Sequence, residues 1–368
     1  MKILQISSAK NFGGGEKHLV DLCRGLRAKG HEVFVAMRAD NGFEEKLNFI
    51  PADHILHTSL RNSLDLLSAH NISRFLKKRK IDIVHAHLAR DYPPASMAVR
   101  LYPRSKLIVT RHVLFPMKNL HKLVLSNVEK AIAVSSAVEA NLLKTFPKEK
   151  VVCVPNGIDI ASFEEKDRKK LSREFRFERN IPFDVPVVGT VGELKPLKGQ
   201  EDLVIAAGEI VKEFPDTHFV IVGVDNSIDQ NYRRKLKRLV KVFGLEKQFT
   251  FLDWVEDTTP LLSALDVFVS PSHSESFGLA ILEAMASGTA VVSTETGGAK
   301  ELIDHDKSGF LTAVKDPVDL AKNICALLGD EAKRREFGAI SQRIAKERFS
   351  LDRMIGRTEE IYQKCLET

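Results

Sequence analysis

The segment SPSHSESFGLAILEAMASGTAVVS, Ser270–Ser293, runs from an apolar strand end through a polar loop into an alanine-rich helix and a second strand. The strand before it, LDVFVS from Leu265, and the one after it, TAVVS from Thr289, are short and β-branched, and the stretch between them, FGLAILEAMASG, has helical composition. Such a β–loop–α–β run predicts neighbouring parallel strands covered by a crossover helix. Two glutamates stand eight residues apart in it, Glu275 in the loop and Glu283 in the helix. A helix of about twelve residues leaves its first amides, near Phe277, Gly278 and Leu279, without intrahelical partners. Eight helical residues rise roughly 12 Å, about the reach from a ribose past a diphosphate to an attached sugar. Glu283 could then accept hydrogen bonds from a ribose diol, the amides a diphosphate, and Glu275 the hydroxyls of a sugar. Taken alone, the two residues also read as solvated glutamates.

The same alternation extends through the chain of 368 residues. Strand-like runs begin at Lys2, Glu32, Asp82, Lys106, Lys130 and Lys150, and again at Val185, Thr217, Gln248, Leu265, Thr289 and Gly309. Helical periods lie between several of them; in EKHLVDLCRGLRAKG, Leu19, Leu22, Cys23 and Leu26 share one face before Gly30. We therefore expect two doubly wound α/β domains. Residues 1–160 form the first, 161–184 a polar, proline-bounded linker with a short helix, and 185–345 the second, with a charged helix over 346–368.

Ligands of open parallel sheets bind beyond the carboxyl ends of the strands. Four polar or glycine-bearing loops stand at such ends: SSAKNFGGGE, RHV at Arg111–Val113, GELKPLKG and SPSHSESFG. They come from both halves, so a ligand in a central cleft would touch all four. Gly13, Gly14 and Gly15 permit close backbone approach at a helix start, for an anion or simply for a tight turn. They form neither a GxGxxG fingerprint nor a Walker A loop. Lys198, just before a helix, suits a phosphate by charge and dipole, although a lone loop lysine is commonly only solvated.

Composition narrows the class. Hydrophobic residues make up 43% and charged residues 28%, as in ordinary globular proteins. No apolar run reaches the roughly 18 residues of a membrane span, and the reading is of a cytoplasmic protein. Residues 1–150 carry 25 Lys and Arg against 13 Asp and Glu, and the remainder 30 against 36. The basic half fits phosphates, acidic glycans or an anionic membrane surface, or is a solvated face; its densest run, FLKKRK at Phe75–Lys80, is weak evidence for nucleic acid. Cys23, Cys153, Cys325 and Cys365 are too dispersed for a ligand cluster and read as reduced thiols. We expect His85 and His87 of HAH to point to opposite faces of a strand, and hence not to share a metal.

In order along almost the whole chain, GGGEKHLVDLCRGLRAKGHEV, IVHAH, VTRH, AVSSAVEANL, VPNGID, GTVGELKPLKGQEDLVIA, FVIVG, the long block from Phe251 to Ile303 and SGFL resemble the retaining nucleotide-sugar glycosyltransferases of the GT-B fold, the family 4 or group 1 type. The E-x7-E spacing of Glu275 and Glu283 is the most specific element. The resemblance implies two Rossmann-like domains facing a central cleft, with the last helix crossing back onto the first. It implies Gly13–Gly15 on the donor phosphate or acceptor, His112 beside the transferred sugar, Lys198 on the diphosphate, Glu275 at the sugar, Glu283 at the ribose and Val255 bordering the base. His112 and Glu275 join Lys198 as the expected catalytic set, with Phe277, Gly278 and Leu279 on the donor. A nucleoside-diphosphate sugar is the implied co-substrate and no metal or other cofactor is expected; Asp304–Asp306 matches DxD only formally. The acceptor would be a glycan or lipid-linked molecule, such as an envelope glycolipid or lipopolysaccharide core at the inner membrane face. A nucleotide-sugar epimerase and a non-catalytic donor-binding member share the architecture. One residue departs from the family pattern: Glu193 stands in GELKPLKG where the family usually has arginine. That removes a cation from the diphosphate and adds a carboxylate, for which Lys195 or a basic residue of the first domain would have to compensate.

Overall fold

The structure, a computed structural model, describes residues 1–117, 123–164 and 167–367. The chain divides into two compact units: residues 1–157 with 351–368, and residues 158–350.

The first unit is built on a seven-stranded parallel sheet of β1 (Lys2–Ser7), β2 (Glu32–Met37), β3 (Ile55–His57), β4 (Ile83–Ala86), β5 (Lys106–Arg111), β6 (Val128–Ala133) and β7 (Val151–Cys153). The order is β3-β2-β1-β4-β5-β6-β7, so the winding reverses between β1 and β4. Leu19, Leu22, Cys23 and Leu26 of the helix Gly14–Ala28 are all buried, as their 3.6-residue spacing requires, against Ile3, Val35, Ile83 and Ile108. The helix Leu351–Glu367 belongs to this unit and buries Met354, Ile355, Ile361 and Tyr362 in the same core. Its fit depends on Gly25, where a Cβ would overlap the end of Ile355. Strand β3 was absent from the sequence reading. It is three residues long and half exposed at the sheet edge, too short for an alternation to register.

The second unit has a six-stranded parallel sheet, β8 (Val187–Val191), β9 (His218–Val222), β10 (Phe249–Leu252), β11 (Val267–Ser270), β12 (Ala290–Thr294) and β13 (Phe310–Thr312). Its order is β10-β9-β8-β11-β12-β13, with the reversal between β8 and β11. Near-continuous apolar strands such as His218–Val222 are buried throughout, as strands covered on both faces must be. Val188, Phe219, Val267 and Val292 of the sheet join Leu203, Ile210, Leu236 and Ile324 of the helices in one core. Residues 161–184, of which 165 and 166 lie outside the described residues, include the helix Arg168–Glu178. It belongs to this unit and docks through Phe175, while Arg176 donates to the carbonyls of Val185 and Ala264. Among the described residues no helix is long and apolar enough to cross a membrane.

Candidate active site

In each sheet the crevice at the winding reversal is where adjacent loops diverge and leave room for a ligand. Both reversals are lined by residues singled out from the sequence.

In the second unit the β8 loop carries Lys198 and the β11 loop carries Glu275, and the two meet: Lys198 Nζ lies 2.5 Å from Glu275 Oε2. Both side chains are mostly enclosed, 25% and 15% exposed. The loops are tied by His273, whose backbone amide donates to the Leu197 carbonyl at 2.8 Å and whose Nε2 bonds Asp202 at 2.8 Å. They approach because residue 199 is glycine. Its φ of +64° lies in the left-handed region, and any Cβ there would overlap the Pro271 carbonyl. Glu275 is fixed from a third side, where the Gly298 amide donates to its carbonyl at 2.9 Å. A Cβ on Gly298 would overlap the backbone of Phe277, so this close approach also needs glycine.

The helix after Glu275 spans Leu279–Ala286, eight residues instead of the expected twelve or so. Gly278 ends it on one side with φ +100° and Gly288 closes the turn beyond it with φ +67°, so neither glycine continues the helix. Phe277 precedes the helix and its side chain is buried, with its ring 5.8 Å from that of Phe349. The free N-terminal amides therefore begin at Leu279. Glu283, one turn from the C-terminal end, accepts a hydrogen bond from Thr258 Oγ1 at 3.0 Å. Val255 lies in the loop leading to that threonine and borders, with Phe175, Arg179 and Leu261, a cavity of about 340 Å³. Another cavity of the unit, about 730 Å³, is lined by Arg168, Arg173, Arg176 and Ser263 and by none of the expected site residues.

Glu193 is paired with Lys195 in the same loop, and its other oxygen accepts from Asn226 Nδ2 at 3.2 Å. Burial raises its carboxyl pKa, but Lys195 and Asn226 outweigh that and hold it below the ordinary value. The carboxylate that departs from the family pattern is thus neutralised by its neighbour, and Lys195 is engaged in doing so.

In the first unit His112 follows β5, and the Cβ position of Gly15 lies 3.9 Å from its ring. Gly13 is the extended residue capping the helix Gly14–Ala28, and Gly14 and Gly15 form its first turn. His112 sits among three other histidines. Its ring is 4.8 Å from that of His18 and 5.7 Å from that of His87, and His87 is 4.3 Å from His85. The expectation for His85 and His87 is corrected here: residues two apart on a strand share a face, and their rings lie side by side. Burial drives all four pKa values down, His18 to about 4 and His85, His87 and His112 well below 6.5, with the neighbouring imidazoles adding to the effect for the last three. The four rings are held neutral. The sequence reading missed His18, His273, Thr258 and Gly298, and discounted His87. EKHL, HAH, SHSE and TGGAK hold His18, His87, His273 and Gly298, but only the fold shows what they face; Thr258 carried no signal.

Two parallel-sheet Rossmann-like units, each with its ligand crevice at a winding reversal, define the GT-B class. The family description "Glycosyl transferases group 1" matches residues 172–343, and "Glycosyltransferase Family 4" matches residues 12–162. The chain belongs to the group 1 glycosyltransferases. It is 25% identical to N-acetyl-alpha-D-glucosaminyl L-malate synthase of Bacillus anthracis, over 98% of this chain and 96% of that protein. A glycosyltransferase of Rickettsia africae superposes with a TM-score of 0.89 at 23% identity, covering 100% and 99% of the two chains. Anabaena HepE in complex with UDP-glucose superposes with a TM-score of 0.84 at 25% identity, covering 98% and 99%.

Proposed function

We propose that this chain moves a sugar from a nucleoside-diphosphate sugar to a hydroxyl acceptor with retention of anomeric configuration. The observation that carries the reading is the Lys198–Glu275 pair at the β8/β11 reversal, with the Leu279 amide and Glu283 following on one short helix. Lys198 and the helix N-terminus stabilise the diphosphate as negative charge develops on it. Glu275 holds the sugar hydroxyls, Glu283 the ribose diol, and Val255 borders the base. The bond from the anomeric carbon to the diphosphate oxygen breaks, the acceptor oxygen bonds to that carbon on the same face, and the departing phosphate oxygen takes the acceptor proton. His112, neutral because buried, takes its place beside the transferred sugar, and the backbone of Gly13–Gly15 beside the phosphate or acceptor. No protein side chain acts as a covalent nucleophile and no metal enters the step. The bound UDP-glucose of HepE and the sugar-transfer name of the malate synthase relative are consistent with such a donor.

The acceptor in this reading is a glycan or lipid-linked molecule presented at an anionic membrane surface. Support comes from the excess of basic residues in the first 150 positions and from the exposed Leu64, Leu66 and Leu67 at the start of the helix Leu66–Arg79, whose other end carries Lys77, Lys78 and Arg79. Calorimetry with UDP, GDP, ADP, TDP and their sugar conjugates tests the donor. Selective binding weakened by both Lys198→Ala and Glu283→Ala is expected. Binding of none, or binding indifferent to both substitutions, would overturn the assignment.

A further inference from the structure

We propose that His18, His87 and His112 form a binding site for a divalent transition-metal ion of the zinc type. Three nitrogens, one from each ring, lie within 4.8 Å of one another, and His87 Nδ1 is 3.4 Å from His112 Nε2. That distance is long for a hydrogen bond, but it is about the separation of two nitrogens each roughly 2.0–2.1 Å from one tetrahedral zinc ion. Bringing His18 to the same spacing requires a side-chain movement on the order of 1 Å.

The surrounding hydrogen bonds fix the lone pair that a metal needs. Gln5 Nε2 donates to Tyr362 OH at 3.2 Å, so the Gln5 carbonyl oxygen faces His87 Nε2 at 2.7 Å and must accept from it. Nε2 therefore carries the proton of the neutral ring, and Nδ1, which faces His112, carries the lone pair. A ligating histidine ordinarily has this second bond to a carbonyl or carboxylate, which sets its tautomer and orients its ring. The chain continues outward. Tyr362 OH is 2.5 Å from His85 Nδ1, and the other nitrogen of His85 is 2.7 Å from Thr110 Oγ1, so His85 is satisfied within the framework and is not a ligand.

His18 supplies a second, independent observation. It is buried, and neither ring nitrogen makes a hydrogen bond of normal geometry, although Asn156 is close enough to pull its pKa slightly back up. A buried imidazole without a partner is costly, and a shared cation removes that cost. Three neutral imidazoles with a fourth position left for water or another oxygen suit zinc, cobalt or nickel better than magnesium or calcium.

Binding of the ion stands on this geometry alone. Its consequence, that Zn²⁺ suppresses sugar transfer by occupying His112, rests on the function proposed above. The test uses the full chain, without donor or acceptor. Titration with Zn²⁺ followed by calorimetry should give one equivalent bound, and Co²⁺ should give the visible absorption of a four-coordinate nitrogen site. His18→Gln and His87→Gln should each weaken binding at least about 100-fold, and Gln5→Leu about 10–100-fold through the lost second bond. His70→Gln, on the exposed face of another helix, should change nothing. Absence of stoichiometric uptake by the wild-type protein, a thiolate absorption band, or uptake unchanged in His18→Gln and His87→Gln would each overturn the proposal. The wild-type measurement decides even if a variant fails to fold. Because nucleotide binding is measured separately, uptake of Zn²⁺ by a protein that binds no sugar nucleotide would sink the transfer reading and leave the metal site standing.

Discussion

Lys198 and Glu275 lie 77 residues apart in sequence, and their charged groups touch at 2.5 Å because a glycine at 199 lets the β8 loop run against the β11 loop. The pair contributes little net stability, since the cost of desolvating two mostly enclosed charges offsets much of their attraction. In the proposed reaction it supplies a positioned cation for the diphosphate. We expect Lys198→Ala to lower kcat/KM by about 10²–10³, the usual cost of removing a preorganised charge-stabilising group, with Tm changed by only a few degrees. Steady-state kinetics with thermal melting on the same samples checks both.

Gly199→Ala should be far more damaging than its size suggests. The added methyl would meet the Pro271 carbonyl while the backbone is held at φ +64°, so the loops must separate. A destabilisation of about 2–4 kcal/mol is expected, with loss of nucleotide binding. Denaturant unfolding and calorimetry would measure it, and a variant with wild-type affinity would show that loop contact is dispensable.

Lys195→Ala leaves the Glu193 carboxylate facing its surroundings with only Asn226 as partner. Nucleoside-diphosphate affinity should fall several-fold, roughly 1 kcal/mol. The double variant Glu193→Gln, Lys195→Ala should recover most of it, since the repelling charge is gone. If the double variant binds as weakly as Lys195→Ala, Lys195 contacts the diphosphate directly.

Asp91 gives a pH dependence. It is fully buried between the Ser8 amide, Arg90 and Glu16, and burial pushes its pKa from 3.8 up to about 7. A raised folded-state value means that its contribution to stability is complete below about 3.8 and is lost as pH rises through about 7, at no more than about 1.4 kcal/mol per pH unit. The buried histidines act in the opposite sense, losing stability as pH falls below their ordinary 6.5. The difference between wild type and Asp91→Asn therefore isolates the aspartate. The advantage of wild type over the variant should shrink between pH 5 and pH 8, and melting curves across that range would show a constant difference if Asp91 stays ionised throughout.

Tyr362→Phe removes the hydroxyl that links Gln5 to His85 and leaves Nδ1 of a buried imidazole without its partner. A loss of about 1–3 kcal/mol is expected. Urea unfolding measures it, and His85→Phe in the same background should recover part of the loss by removing the orphaned nitrogen.

Alternation of short β-branched runs with helical periods was enough to read two doubly wound units, because burial on both faces imposes apolar strands and a 3.6-residue stripe on each covering helix. Glu275, Glu283, Lys198 and His112 could be singled out as candidates because motif spacing and order survive in the linear chain. The three-residue β3 was not, since three half-exposed residues carry no period. Nor was the true length of the helix after Glu275, which was set by the backbone angles of Gly278 and Gly288. The Lys198–Glu275 contact and the convergence of His18, His87 and His112 were decided by tertiary structure alone, whereas Lys195 and Glu193 are near neighbours in one loop. Both depend on which strands are neighbours at a sheet reversal, and the first also on how closely Gly199 lets two loops approach. Those are distances between residues remote in sequence, and local propensity does not encode them.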